Sequence, residues 1–568
     1  MNRQGAKAAE HANEPSPGRV MGSAGIDGPG VRDNDSVRVP ASGPPHRSWL
    51  GLLVIAVLHL TIRVWVFSGI QEPDDLFYSE AAHRFSKGEF VQPWPWGLRY
   101  PLIVPLAASQ RILGINEWSL KVPPMLYSLA ALFLVYLLAS TYGKRRVGLA
   151  AAGLWALFPL DIVQATELHL DLPMTVFLCA GVYMLVQGER MSRGVGQTSV
   201  FLGSGLAWGL AHLAKEVAVV LAGVLVVRIW WRRCLHVEYA WFVVGFALIL
   251  GLELGWFTFT TGEPWYRFSQ RVWKGHIQAM AIPGGPPYMW MLQYVDMLMN
   301  PLNTHAVYLG GFFYPVLAGS VWGWRMRNEA VRELTLWWMT ILVLFNFAPS
   351  DLTFRHPLFT HYARTLHPMF VPGLIIAAFA LVDAVSTTSK RLTAVVCLVL
   401  LSLASVWTSH LHKRLWGETA RRVFHIARSA GGEVLIVTDP MNRAQLTFFF
   451  GYRTGIVKGF EEASMSDASR PTLWLYDPFW IDWARRELGR SWMGGIGPPD
   501  PPLCPELQIK HGVLPSVVER LVPKLVGVVF GADHVVRRWQ RDPARLFVCG
   551  PRTDLAPASE WPLSRRGK

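Results

Sequence analysis

A mainly α-helical membrane protein of about eleven spans, with a small α/β domain at its C-terminal end, follows from three features of the sequence. The 568 residues are 51% hydrophobic and only 17% charged, with a mean hydropathy of +0.25. Soluble domains carry about 25% Asp, Glu, Lys and Arg, so a wholly soluble chain is excluded. Disorder throughout is excluded too, because so much apolar side chain must be buried. Between residues 49 and 411, apolar runs recur at close to the length that crosses a hydrocarbon core of roughly 30 Å. Beyond residue 411 the runs become short and alternate between strand-like and helix-like.

Residues 1–48 are rich in Gly, Pro, Ser, Asp and Arg and read as a disordered cytoplasmic tail. The expected spans are 49–69, 122–142, 146–161, 171–187, 200–214, 216–231, 239–258, 306–324, 334–350, 365–385 and 391–411. The pair 200–214 and 216–231 is separated by little more than Lys215 and Glu216. With the N-terminus in the cytoplasm, the short inside loops carry thirteen basic residues and the short outside loops three. That asymmetry follows the positive-inside rule. It accounts for most of the net charge of +14 as topology, and the nucleic-acid reading of a basic chain is dropped. Residues 49–411 are therefore a transmembrane domain with long external loops at 70–121 and 259–305. An odd span count places residues 412–568 outside. The 42 arginines against 12 lysines suggest a GC-rich bacterial gene, and with it a bacterial inner or plasma membrane.

The C-terminal part has strand-like runs at 433–438, 472–476 and 546–549 and helix-like ones at 442–451 and 479–488. Five cysteines are too few for a disulfide scaffold. Cys504 and Cys549 both fall in this part, where an oxidising compartment permits a bridge; two free thiols are the alternative. No CxxC, HExxH, P-loop or GxGxxG occurs, so no metal, nucleotide or dinucleotide site announces itself.

The chemistry gathers in the first external loop, which reads Gln71-Glu72-Pro73-Asp74-Asp75 and continues through Glu80-Ala-Ala-His83-Arg84. Pro73 fixes its own φ and keeps Glu72 out of the helical region, so a helix starts here. Asp74 and Asp75 can cap that helix. In a sheltered pocket, one of two neighbouring carboxylates can instead serve as a general base.

The loop resembles the first lumenal loop of the GT-C glycosyltransferases. The resemblance rests on Glu-Pro-Asp74-Asp75, Glu80-Ala-Ala-His83-Arg84, Gly88, Trp94-Pro-Trp96 and Arg99-Tyr-Pro101. It is closest to the polyprenyl-phosphate-mannose-dependent mannosyltransferases of GPI-anchor and N-glycan assembly. Glu72 stands where they have His, and Asp75 where they have Glu. Glu167-Leu-His-Leu-Asp171-Leu-Pro173 and Ala211-His-Leu-Ala-Lys215 are similar to the protein-mannosyltransferase and lipid A aminoarabinose transferase branch. Arg364 with Pro368 and Pro372 resembles a late motif of both branches.

The resemblance implies a GT-C fold over roughly residues 50–385. It implies a mannose-like hexose or a pentose on a polyprenyl phosphate as donor, and a lipid, glycan or protein as acceptor. An inverting displacement needs one base, Asp74 with Asp75 second. Lys215, Arg364 and Arg99 are the candidate cations for the leaving phosphate. Asp171, Glu167, Trp94, Trp96, Glu80 and His83 are the candidates for acceptor or sugar binding. No cofactor is required by any motif, and a divalent ion on the Asp pair is a further option.

Other uses of these residues stay open. Lys215 and Arg364 can snorkel at span ends, and Asp171 can complement a helix N-terminus. His59 and Arg63 lie one turn apart inside the first span. They serve either function or bundle assembly against an acid such as Glu253. A transporter or lipid-linked-glycan flippase is the competing class, but it would place its ionisable groups near the midplane. A membrane anchor for residues 412–568 is a third reading.

Overall fold

The computed structural model describes residues 46–269, 272, 292–300, 308–347, 362–481, 504–509 and 544–549, without 72, 234–235, 310, 385–387, 415–416, 430–433, 454, 463–470, 479 and 505. The expected tail at residues 1–45, Glu72 and most of the second external loop lie outside the described residues.

The helices follow the apolar runs. They are α1 (His46–Val66), α2 (Pro73–Ser86), α3 (Tyr100–Leu113), α4 (Glu117–Tyr142), α5 (Arg145–Leu157), α6 (Pro159–Gln164), α7 (Asp171–Gly188), α8 (Val195–Ala214), α9 (Gly223–Arg232) and α10 (Tyr239–Thr261). After them come α11 (Gln293–Met299), α12 (Phe313–Arg325), α13 (Glu329–Phe347), α14 (His367–Phe379) and α15 (Thr388–Arg414). Among the described residues, seven helical stretches are long and apolar enough to cross a membrane: α1, α4, α7, α10, α13, α15 and Ala363–Asp383, which contains α14. The chain is thus a multi-pass membrane protein.

The other four expected spans take a shorter, broken or more polar form. The run 146–161 breaks at Pro159, which lacks the N–H that would continue α5. The run 216–231 is a 3₁₀ segment, Glu216–Ala222, leading into α9. The run 306–324 yields the 13-residue α12, and α8 is long enough but carries Gln197, Thr198, Ser199 and Ser204. Arg228, counted above among loop cations, is buried within α9. There it meets Glu189 at 2.5 Å and also Glu333.

Close backbone approach fixes the α8–α10 crossing. A Cβ on Gly205 would lie 2.0 Å from the Phe242 carbonyl, and one on Gly245 would lie 2.3 Å from the Leu202 carbonyl. Only glycine at these two positions lets the helices touch, as small residues do in membrane bundles.

A second fixed point is a buried polar cluster among α1, α4, α6, α7 and α14. Arg63 pairs with Asp161 and donates from Nε to Ser128 Oγ at 2.8 Å. It also donates from Nη1 to the carbonyls of His59 and Ala156 at 3.0 and 3.1 Å. Ser128 Oγ donates to Asp161 at 2.5 Å and sits 2.9 Å from His59 Nε2. His367 bridges Asp161 at 3.2 Å and Thr175 at 3.0 Å. His59 and Arg63 thus lie in a buried contact between helices. Their acid is Asp161, because Glu253 on α10 is taken by Arg267.

The C-terminal region begins with α16 (Glu418–Ser429) and contains β1 (Leu435–Thr438), α17 (Pro440–Phe449), β2 (Val457–Gly459), β3 (Thr472–Tyr476), β4 (Glu506–Ile509) and β5 (Ala544–Cys549). The sheet order is β2-β1-β3-β5-β4. β1 runs parallel to β2 and β3, whereas β5 is antiparallel to β3 and β4. Three strands sit where the sequence predicts them; β2 and β4 are additional. Of the expected helix 479–488, only residues 480 and 481 are described. Cys504 and Cys549 form a disulfide with Cα atoms 5.4 Å apart.

Candidate active site

Asp74 and Asp75 are neighbours in sequence and have different surroundings. Both lie in the first turn of α2, which Pro73 opens. Successive helical residues diverge by about 100°, so the two carboxylates face different neighbours. Asp75 is fully buried and sits 2.7 Å from Lys121 Nζ of α4, itself fully buried. It also accepts the backbone N–H of Gln71 and of Leu168, each at 2.8 Å. A carboxylate with one ammonium and two amides on it is held in place and has little lone-pair capacity left.

Asp74 keeps a quarter of its side chain exposed. Arg364 Nη1 donates to its Oδ2 at 3.3 Å and to His169 Nδ1 at 3.0 Å. His169 Nδ1 is itself 3.8 Å from Asp74 Oδ2. With Nδ1 accepting from Arg364, the ring's Nε2–H donates to Glu167 at 2.6 Å. Glu167 thereby orients a histidine that sits beside Asp74. The Arg364 guanidinium also lies over the Tyr362 ring at 4.8 Å, and its backbone carbonyl accepts from Gln164 at 3.1 Å.

Around this centre the other predicted residues divide. Asp171, first residue of α7, is 2.6 Å from Lys215 Nζ, and the ammonium keeps about a quarter of its side chain exposed. Arg99 is buried and paired with Glu216, which Arg267 also reaches at 3.2 Å. Trp94 carries the Arg84 guanidinium on its face at 4.6 Å, and Arg84 pairs with Glu80 at 2.8 Å. Trp96 packs on Phe77 at 4.9 Å. His83 stacks on Tyr452 of the C-terminal region at 4.6 Å. The structure thus brings Asp74, Arg364 and Glu167 together through His169. Glu80, His83, Trp94 and Trp96 are engaged elsewhere along α2 and its following turn.

His169, Lys121 and Tyr78 were not singled out from the sequence. His169 occupies the middle of Glu167-Leu-His-Leu-Asp171, and polar residues at alternate positions there were a readable signal. Lys121 was legible as a lone cation at the edge of an apolar run. Tyr78 is buried on α2, and burial first, then the Asp74 charge, push its phenol well above its usual range. It stays a neutral hydrogen-bond donor beside the site. Among the described residues no three His, Cys, Asp or Glu side chains converge as a metal-binding set.

An apolar cavity of about 360 Å³ is bounded by residues of α2, α3, α8 and α10. It is lined by Phe85, Phe90, Tyr100, Leu213, Ile249 and Trp256 among others.

This arrangement of helices is the GT-C fold. The chain superposes on ArnT from Cupriavidus metallidurans in the apo state with a TM-score of 0.57 and 15% identity, covering 90% of this chain and 100% of that one. The same protein bound to undecaprenyl phosphate gives 0.54 and 17%, covering 89% and 99%. In sequence, the profile of the dolichyl-phosphate-mannose-protein mannosyltransferase family matches residues 102–256. An undecaprenyl phosphate-alpha-4-amino-4-deoxy-L-arabinose arabinosyl transferase of Pseudomonas fluorescens is 24% identical over 365 residues, 61% of this chain and 62% of that protein. The match therefore spans less than two thirds of the length of that relative.

Proposed function

We propose that the chain is an integral-membrane glycosyltransferase that moves a sugar from a polyprenyl phosphate to an acceptor hydroxyl, with Asp74 as general base. The observation that carries this reading is the division of labour at Pro73-Asp74-Asp75. One carboxylate is locked by Lys121, while its neighbour stays accessible beside an arginine and a histidine. The acceptor oxygen attacks the anomeric carbon from the face opposite the lipid phosphate. Its proton passes to Asp74, the bond from the anomeric carbon to the phosphate oxygen breaks, and the configuration inverts. The departing phosphate diester becomes a monoester and gains negative charge, which fixed cations stabilise without reorganisation. Arg364 and Lys215 are assigned to it. Arg99 is set aside, because its side chain is buried against Glu216, whereas Lys215 and Arg364 each keep about a quarter of theirs exposed. Asp75 and Lys121 hold α2 in place.

The fold shared with an undecaprenyl-phosphate-bound ArnT supports the donor class, and the apolar cavity suits an isoprenoid chain. The relative in Pseudomonas fluorescens favours an aminoarabinose-like pentose as the first donor to test, with mannose second. The loop-charge asymmetry and the Cys504–Cys549 bridge support a site on the oxidising, extracytoplasmic face of a bacterial inner membrane.

The test incubates membranes containing the wild type, Asp74→Asn, Asp75→Asn or the double variant with radiolabelled polyprenyl-phosphate sugars. Asp74→Asn is expected to abolish transfer in protein that is still folded. Normal transfer by all three variants would remove the catalytic reading, and transfer from a nucleotide sugar alone would replace the donor.

A further inference from the structure

We propose that the C-terminal α/β region positions the acid-bearing helix α2, with Arg421 and Tyr452 as positioning residues for Asp74; this rests on the reading of Asp74 as the base. Two contacts from that region hold α2 on either side of the acid.

The first lies just before the helix. Arg421 of α16 donates from Nη2 to Glu117 Oε1 at 2.6 Å and to the Ser68 carbonyl at 3.2 Å. The same Glu117 oxygen accepts the Ile70 N–H at 3.0 Å. Gly69, in the middle, has φ +88, and a Cβ there would lie 2.0 Å from Glu117 Oε1 and 2.4 Å from Arg421 Nη2. The chain can pass through this clamp only as glycine. One residue after the clamp, the Gln71 N–H reaches Asp75.

The second contact lies further along α2. Tyr452 donates its hydroxyl to Ser79 Oγ at 2.8 Å, which also accepts from Gln110 Nε2 of α3 at 2.9 Å. The Tyr452 ring stacks on His83 with planes 17° apart. Tyr452 itself sits in the left-handed region at φ 59, held by its N–H donating to the Thr447 carbonyl at 2.8 Å. Phe448 of α17 joins the apolar cluster of Ile70, Leu76 and Tyr78. Arg421 and Tyr452 act at a distance from Asp74 along the chain. They fix the backbone that aims it.

A base displaced by about 1 Å loses on the order of 10²-fold in rate. Arg421→Ala and Tyr452→Phe in the full-length protein are therefore expected to lower kcat, by about tenfold or more for the first, with the donor KM unchanged. Arg421→Lys should recover part of the loss. Arg421→Ala and Glu117→Gln should be non-additive, because they open the same clamp. Asp74→Asn is assayed in parallel, and unfolding midpoints are recorded for every variant. Wild-type kcat per folded molecule in Arg421→Ala and Tyr452→Phe, with Asp74→Asn inactive, would overturn the positioning role, even if the midpoints fall. An active Asp74→Asn would instead remove the underlying reading of the base.

Discussion

Two clusters in this molecule are assembled from the same side chains, an aspartate, an arginine and a histidine, and they are held in different ways. Asp161, Arg63 and His367 are fully buried, and each meets further partners in Ser128, Thr175 and two backbone carbonyls. Asp74, Arg364 and His169 are held more loosely, at 3.0–3.8 Å, and Asp74 and Arg364 keep roughly a quarter of their side chains exposed. A charge taken fully out of water must have all its partners supplied by the protein. A charge meant for an incoming molecule must keep capacity in reserve. Saturation of hydrogen bonding separates the staple from the site better than residue type does.

The largest expected effect falls on the saturated cluster. Asp161→Asn leaves Arg63 buried without its counter-charge, which costs about 3–5 kcal/mol. The thermal midpoint of the detergent-solubilised protein should fall sharply, with much of the chain lost to aggregation. Asp74→Asn should barely move that midpoint, because a partly exposed pair contributes about 0–1 kcal/mol. Its transfer rate should drop by about 10²–10⁴-fold, the usual range for losing a general base. If Asp74→Asn destabilises as much as Asp161→Asn, the contrast between the clusters fails. Arg364→Ala should cost about 10²–10³-fold in turnover with folding retained, as expected for one fixed donor to developing charge.

The smallest effect concerns a buried acid of the C-terminal region. Burial, with the nearby Asp477 second, pushes Asp439 up to about 7 from an ordinary 3.8. Between those pH values the folded protein holds a proton that the unfolded chain has released, so stability falls as pH rises through that window. The unfolding midpoint should drop by a few degrees from pH about 5 to about 8. Asp439→Asn should flatten that part of the profile while keeping the N-cap of α17.

Much of the fold was readable because apolar length is a local property. Each expected run meets helix, and the breaks occur where local chemistry dictates them, as at Pro159. β1, β3 and β5 were legible as short, largely apolar runs, and the three-residue β2 was not. β4, with its mostly open Glu506–Ile509 pattern, was not. The site was legible as a neighbourhood. Pro73-Asp74-Asp75 marked the loop, and the later motifs supplied Glu167, Asp171, Lys215 and Arg364. Which carboxylate is locked and which stays partly exposed was hidden, because the decision belongs to Lys121 and to the Leu168 amide, far along the chain. His59 and Arg63 looked equally functional until Asp161 arrived from another helix.

The anchoring of Asp75 also bears on how this sequence can drift. The stretch between α1 and α2 is tied at one end to Glu117 and Arg421 and at the other to Lys121. An inserted or deleted residue forces one tie to let go, and sliding the helix by one position turns its carboxylates by about 100°. Substitutions in that stretch are then filtered one at a time, whereas a change in its length is filtered at once. Gap-free spacing from Gly69 to Asp75 is accordingly a signature of a working copy beside the identity of Asp74 itself.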